Sequence, residues 1–413
     1  MLSLSFGKSV PSNEKQTTKK RTFVMKILWI TSVYPSSMKP GEGVFHETQV
    51  QELQKLGLDI TVICPRPFHS APVRMLKKTY RKKDVRPEYE IRKGIPVYRP
   101  FYRAVPGQLK WAQPHRRIAS AVLKTMKQRD LYPDLIHAHF AMPSGGAAAV
   151  VSESAQIPYV LTLHGSDVNV YPHYSKGAFK AFKRAVGSAS VVLAVSHKLQ
   201  EEAKKLSGFD SSVLPIGIQL SRFQGNEETK EEIRKRLGLP LDQRLAVYVG
   251  RLVREKGIFE LSEAIESLQD SPKAVFVGDG PAKSTLTQKG HIVTGQVPNH
   301  QVRDYLLAAD LFVLPSYSEG MPTVVIEALA LRVPVICTDV GGVSSLFGKH
   351  QHLLIKPKSA QALAEAITRY EHEQIWKPEV ADDLYETVQA QFDAGKNAKA
   401  LHHQYQTVTK TSV

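Results

Sequence analysis

The stretch LFVLPSYSEGMPTVVIEALA, Leu311–Ala330, passes from a short apolar run into a polar loop and then into a second apolar run of helical length. LFVLP has the length and composition of a strand buried on both faces, as in a parallel sheet. Gly320 and Pro322 punctuate the loop, and Pro322 is placed at the first helical position, where a missing N–H costs nothing. The helix TVVIEALAL is apolar on nearly every face, so it must be buried. An ionised carboxylate within it, Glu327, costs several kcal/mol unless it finds partners. Eight residues earlier stands Glu319, in the loop itself. A strand opening onto a helix N-terminus makes an anion site, because the first N–H groups lack partners within the helix. Glu327, about one turn in, is placed to face the same ligand and to accept two hydrogen bonds from a vicinal diol such as a ribose.

The same strand–loop–helix unit recurs on both sides of this stretch. KILWITS, DITVICP, DLIHAHF, YVLTLHG and SVVLAVS form a first series from Met25, and LAVYVGR, KAVFVGDG, HIVTGQV, LFVLPS and PVICTD form a second. Helical patterns separate them, such as VFHETQVQELQKLG, with apolar residues at Val44, Val50, Leu53 and Leu56 and a stop at Gly57. The expectation is an α/β chain of two Rossmann-like domains with parallel sheets facing a cleft. Residues 25–215 make the first domain and 216–388 the second, and a C-terminal helix, 389–411, returns to the first. Residues 1–24 are polar and basic and read as a disordered extension or a start placed one methionine early.

Other strand ends add candidates. In YVGRLVREKG, Arg251 and Lys256 follow a buried strand and can clamp a diphosphate, one as a planar fork and the other as a point charge. VGDGP and GQVPNH occupy equivalent positions, their glycines permitting close backbone approach or simply a tight turn. In the first domain GEG, with Gly41 and Gly43, is a second phosphate-approach loop, and LTLHGSD sets His164 at a strand end. His137 and His139 of IHAHF are read as alternating across a strand, so that at most one faces the cleft. No HExxH, cysteine cluster or DxD occurs, so neither a metal site nor a cofactor is expected.

Cys64 and Cys337 each end an apolar run and read as reduced core residues of a cytoplasmic protein. The net charge of +16 is concentrated: Arg66–Arg129 holds 18 Lys/Arg and 3 Asp/Glu. Arg74, Lys77, Lys78, Arg81, Lys82 and Lys83 crowd one part of it, a landing surface for an anionic membrane or, with Tyr80, Tyr89, Tyr98 and Tyr102 interleaved, for single-stranded nucleic acid. The membrane is the preferred partner, and no nucleic acid is expected.

With HGSD, VGRLVREKG, VGDGP, AADLFVLPSYSEGMPTVVIEALA and PVICTDVGG together, the chain resembles glycosyltransferase family 4, retaining enzymes of the GT-B fold. The resemblance runs from about Met25 to the C-terminal helix, and the opening run MKILWITSVYPSSMKPGEGVFHETQV is similar to teichuronic acid biosynthesis enzymes. It implies that Glu327 holds the nucleotide ribose and Glu319 the donor sugar. Arg251 and Lys256 then bind the diphosphate, helped by the backbone of Gly320, Met321, Pro322 and Thr323. His164 lies beside the sugar and Val297 beside the base. Ser344 and Ser345 stand where the family commonly has a glutamate, and Gln351 and His352 where it has Asn-Gly. The implied activity is transfer of a sugar from a nucleoside diphosphate, UDP first, to a glycan or lipid-linked acceptor at the inner face of the membrane. A nucleotide-sugar epimerase and a basic nucleic-acid-binding module are the alternatives.

Overall fold

The computed structural model describes residues 24–76, 84–107, 109–110, 112–225, 228–372 and 375–411. The first sheet is built from β1 (Lys26–Ile30), β2 (Asp59–Ile63), β4 (Tyr89–Arg92), β5 (Ile95–Tyr98), β7 (Leu135–His139), β8 (Tyr159–Leu163), β9 (Val191–Ala194) and β10 (Ser212–Val213). Between them β3 (Arg66–Phe68) and β6 (Phe101–Arg103) pair separately in parallel. The large sheet has the order β10-β9-β8-β7-β1-β2-β5-β4. Every neighbour pair is parallel except β4–β5, a hairpin turned at Lys93 and Gly94, both with positive φ. Strands β7 and β8 are buried at every position, as expected for a sheet covered on both faces.

The second sheet contains β11 (Leu245–Val249), β12 (Lys273–Val277), β13 (Ile292–Gly295), β14 (Leu311–Leu314) and β15 (Val335–Cys337). Its order is β13-β12-β11-β14-β15, all parallel. Strand order reverses beside β1 in the first sheet and beside β11 in the second. Loops following strands at such switch points form the crevice where doubly wound sheets take ligands.

The helix Ala394–Thr411 crosses back to the first sheet, burying Ala398, Leu401, Tyr405 and Val408 with Trp29, Val50 and Leu53. The two crossings of the chain are tied together where Ile218 N donates to Phe392 O at 2.8 Å and Ala394 N donates to Ile218 O at 3.0 Å. Among the described residues no helix is long and apolar enough to cross a membrane. Both cysteines are buried free thiols.

Candidate active site

A cavity of about 550 Å³ lies between the two sheets, within the usual range for small-molecule sites, ~300–1,000 Å³. Its walls come from the loops after β1 (Gly41, Glu42, Gly43), β7 (Phe140), β8 (His164), β11 (Gly250, Arg251, Lys256) and β14 (Glu319 to Thr323).

Two helices, one per domain, begin on this cavity. Val44–Lys55 follows Gly43, whose φ of 75° lets the chain turn sharply, and Thr323–Ala330 follows Pro322. Neither has a side-chain cap, so the first N–H groups are directed at the space between the domains. Pro322 sits one position earlier than the sequence suggests, at the N-cap. There its φ of −76° and ψ of 104° are extended, and its carbonyl accepts from Val325 N at 3.1 Å.

Glu319 is gripped on one oxygen. Lys256 Nζ lies 2.5 Å from Glu319 Oε1, and Ser316 Oγ donates to the same oxygen at 2.7 Å. Among the described residues both of these bonds fall on Oε1. Ser316 is fully buried, and its carbonyl accepts from Thr338 Oγ1 at 2.6 Å. Arg251 is exposed on the same loop as Lys256, and Tyr248 OH anchors that loop by donating to Arg251 O at 2.9 Å.

Glu327 lines the cavity together with Arg222, Asn299 and Val302. Burial pushes its carboxyl up to about 7, and the positive charge of Arg222 pulls the other way. Lining set and raised proton affinity agree with a carboxylate awaiting partners.

The two domains touch at backbone level. A Cβ on Gly320 would lie 1.7 Å from His164 O, and Gly165, at φ 134°, abuts the Gly320 backbone. The turn is shaped by Asp167, whose Oδ1 accepts from His164 N at 3.0 Å and Gly165 N at 2.8 Å, while Oδ2 accepts from Ala141 N at 2.8 Å. Desolvation drives His164 down to about 3, so its imidazole is neutral.

Other expectations meet different outcomes. Val297 packs against the core without lining the cavity, and Asn299 and Val302, on the next helix, take that wall. The VGDGP loop is not at the cavity either: a Cβ on Gly278 or Gly280 would meet Gly250 O or Leu252 O, so these glycines serve close packing of loops. His137 and His139 do not alternate. Residues two apart on a strand share a face, and their ring centroids are 4.1 Å apart. Lys77, Lys78, Arg81, Lys82, Lys83 and residues 1–23 lie outside the described residues, whereas Arg74 falls in the helix Ala71–Leu76.

Sequence reasoning missed Arg222, Asn299, Val302, Phe45 and Phe140, all on the cavity wall. It also missed a histidine cluster. His46, His139 and His164 each bring a ring nitrogen within 4.8 Å of the others, the one group among the described residues with metal-ligand geometry. The group contains no carboxylate, and His139 Nδ1 is already hydrogen-bonded to His164 Nε2 at 3.0 Å. Each ring keeps one buried nitrogen without a partner, His46 Nδ1, His139 Nε2 and His164 Nδ1, while His46 Nε2 bonds Thr31 Oγ1 at 3.0 Å. Burial lowers the proton affinity of all three imidazoles and holds them neutral.

Two tandem Rossmann-like sheets with a cleft at both switch points make a GT-B fold. Residues 41–222 match the model described as Glycosyltransferase Family 4, and residues 229–391 match that described as Glycosyl transferases group 1. It is 28% identical over 242 residues to an uncharacterized glycosyltransferase, MJ1178, of Methanocaldococcus jannaschii, covering 57% of this chain and 64% of that one. It is 29% identical over 238 residues to the alpha-monoglucosyldiacylglycerol synthase of Acholeplasma laidlawii, covering 51% and 60%. The chain thus spans less than two thirds of either relative. The structure of Anabaena HepE in complex with UDP superposes with a TM-score of 0.69 at 20% identity, over 93% of this chain and 100% of that one, a likeness of fold.

Proposed function

We propose that the protein moves a sugar from a nucleoside diphosphate, UDP first, to a lipid-linked glycan of the cell envelope, teichuronic acid being one such polymer. The observation that carries this is the placement of Glu319 and Glu327 on one cavity with Lys256, Arg251 and two helix N-termini between and around them. Such a cavity suits a ligand with a diol at one end, two phosphates in the middle and a sugar at the other. UDP is favoured because HepE, of the same fold, binds it.

Transfer proceeds with retention by front-face attack. The bond from the anomeric carbon to the diphosphate oxygen breaks, the acceptor oxygen bonds to that carbon from the same side, and the acceptor proton passes to the departing phosphate oxygen. Arg251, Lys256 and the N–H groups of Thr323 and Val324 stabilise the charge that builds on the diphosphate. Glu319 Oε2 and neutral His164 hold sugar hydroxyls. No metal or other cofactor takes part in this scheme.

The acceptor side is read from the first domain. Phe68, Met75, Ile91 and Phe101 are exposed on it within the strongly basic Arg66–Arg129 segment, a combination suited to an anionic lipid surface on the cytoplasmic side. The Acholeplasma relative, by its name, makes a glycolipid.

Three measurements test the proposal together. In a thermal-shift panel, UDP and UDP-sugars are expected to stabilise the protein more than other nucleotides. Sedimentation with anionic vesicles is expected to fall with salt, and labelled sugar is expected to pass from the donor to a polyprenyl-diphosphate glycan with the anomeric configuration kept. Absence of any nucleotide-dependent shift overturns the donor reading. Salt-insensitive failure to sediment overturns the membrane reading, and inversion at the anomeric carbon overturns the mechanism.

A further inference from the structure

The helix Lys176–Gly187 carries a face that the proposed transfer does not use. It buries Ala178, Phe182, Ala185 and Val186 against the first domain and exposes Lys176, Phe179, Lys180, Lys183 and Arg184. Those five positions follow the three- and four-residue steps of a single helical stripe. Charge is one-sided here: residues 168–200 hold five Lys/Arg and no Asp/Glu. Arg184 pairs with Glu153 at 2.8 Å, whereas Lys176, Lys180 and Lys183 form no ion pair among the described residues.

Apolar surface lies among these cations. Tyr174, Phe179 and Phe209 are 45%, 36% and 41% exposed. Phe209 rests on Gly187, where a Cβ would stand 2.5 Å from its ring, so only a glycine lets the ring cross the end of the helix. Phe179 and Phe209 wall an open groove of about 340 Å³ together with Lys180, Lys183 and Arg184. The helix carries no Asn, Gln, Asp or Glu with which to read sugars or bases. Cations and hydrocarbon on one stripe match the surface of an anionic bilayer, where rings sit at headgroup depth and lysine stems carry their charges to the phosphates.

The chain reaches this helix from the cavity, running from His164 through Ser166–Asn169 and Tyr171–Tyr174. Lys110 O accepts from Ser175 Oγ, and Lys110 Nζ stands 5.7 Å from the centre of the Tyr174 ring. These contacts join the helix to the basic segment of residues 66–129. We infer that the exposed face of Lys176–Gly187, with Tyr174 and Phe209, is a second membrane-contacting surface, and that it takes the phosphate headgroups of an anionic bilayer. Two attachments on one domain fix its orientation, with the first turn of the helix nearest the cavity that a lipid-linked acceptor must enter. The inference rests on the reading of such an acceptor at an anionic membrane.

Sedimentation with vesicles of phosphatidylglycerol and phosphatidylcholine, beside vesicles of phosphatidylcholine alone, tests it. Lys180→Glu combined with Lys183→Glu should lower partitioning onto the anionic vesicles at least about 25-fold, each basic residue at such a surface being worth about fivefold. Lys356→Glu combined with Lys399→Glu makes the same change of net charge on exposed lysines elsewhere and should lower it far less. Phe179→Ser should remove the part of the binding that survives high salt, because that part is apolar. All these variants should melt as the wild type does. The emission of Phe179→Trp should be quenched by brominated acyl chains more than that of the wild type. Partitioning kept by the Lys180 and Lys183 variant, an equal loss in the control variant, or no added quenching overturns this surface and leaves the membrane reading of the basic segment standing. Wild type that ignores anionic vesicles overturns both. Binding of single-stranded nucleic acid that the Lys180 and Lys183 variant loses, with vesicle binding unchanged, gives the surface another partner and overturns the inference.

Discussion

Lys256 Nζ and Glu319 Oε1 are 2.5 Å apart and join the loops that follow β11 and β14, adjacent strands at the switch point of the second sheet. The pair fixes one oxygen of Glu319 and sets Lys256 on the cavity wall, beside the diphosphate in the proposed reading. A cation already placed beside a developing anion stabilises it without reorganisation.

Lys256→Ala should therefore lower kcat by about 10²–10³-fold, the usual loss when one such donor is removed. Affinity for the free nucleoside diphosphate should fall by a smaller factor. Steady-state kinetics beside calorimetry of the nucleotide separates the two, and near-normal turnover would refute the role.

Glu327 should make nucleotide binding depend on pH. Its carboxyl stands at about 7, above the ordinary 4.5, and the ribose diol needs the ionised form as acceptor. Affinity should rise with pH through about 7, with a proton released on binding. The folded chain holds this proton where the unfolded chain has lost it. Stability from the group is thus full below 4.5 and is lost as pH rises through about 7. Melting temperature of the wild type relative to Glu327→Gln should fall across that window. Because Arg222 pulls the carboxyl down, Arg222→Ala should move the binding midpoint to higher pH. Nucleotide affinity that is flat with pH in the wild type would sink the ribose assignment.

Gly320→Ala puts a methyl group where His164 O stands, at 1.7 Å. The loop must move off the His164 turn, carrying Glu319 with it. A displacement of about 1 Å at a reacting centre costs on the order of 10²-fold in rate. The melting temperature should change little, because the contact lies between domains rather than within a core. Wild-type kcat in this variant would show that the domains do not meet here during transfer.

Tyr405→Phe should weaken the first domain. Tyr405 is fully buried on the returning helix, and its loss strips His137 Nδ1 of a partner. An unsatisfied buried polar atom costs about 1–3 kcal/mol, readable as a lower denaturation midpoint. An unchanged midpoint would mean that the helix docks through apolar contacts alone.

The alternation of buried strands and helices, the two-sheet architecture and the pairing of Glu319 with Glu327 were all legible in the chain. Strand and helix periods are local, and the spacing of a loop glutamate from a helical one is set by a few consecutive residues. His137 and His139 show how a local rule misapplied goes wrong, since period two puts them on one face of β7. Contacts across the fold left no such trace. Arg222 lines the same cavity as Glu327, Gly165 meets Gly320, and Tyr405 bonds His137 only because strand order and the crossing helix bring distant segments together. Val302 rather than Val297 lines the cavity for the same reason: the sequence places a residue after a strand, but the packing of the next helix decides which side chain reaches the cavity. The sequence determined which elements form and what chemistry they carry. Tertiary structure decided which charges pair and which histidines bond each other, because burial and hydrogen-bond partners are properties of the packed interior.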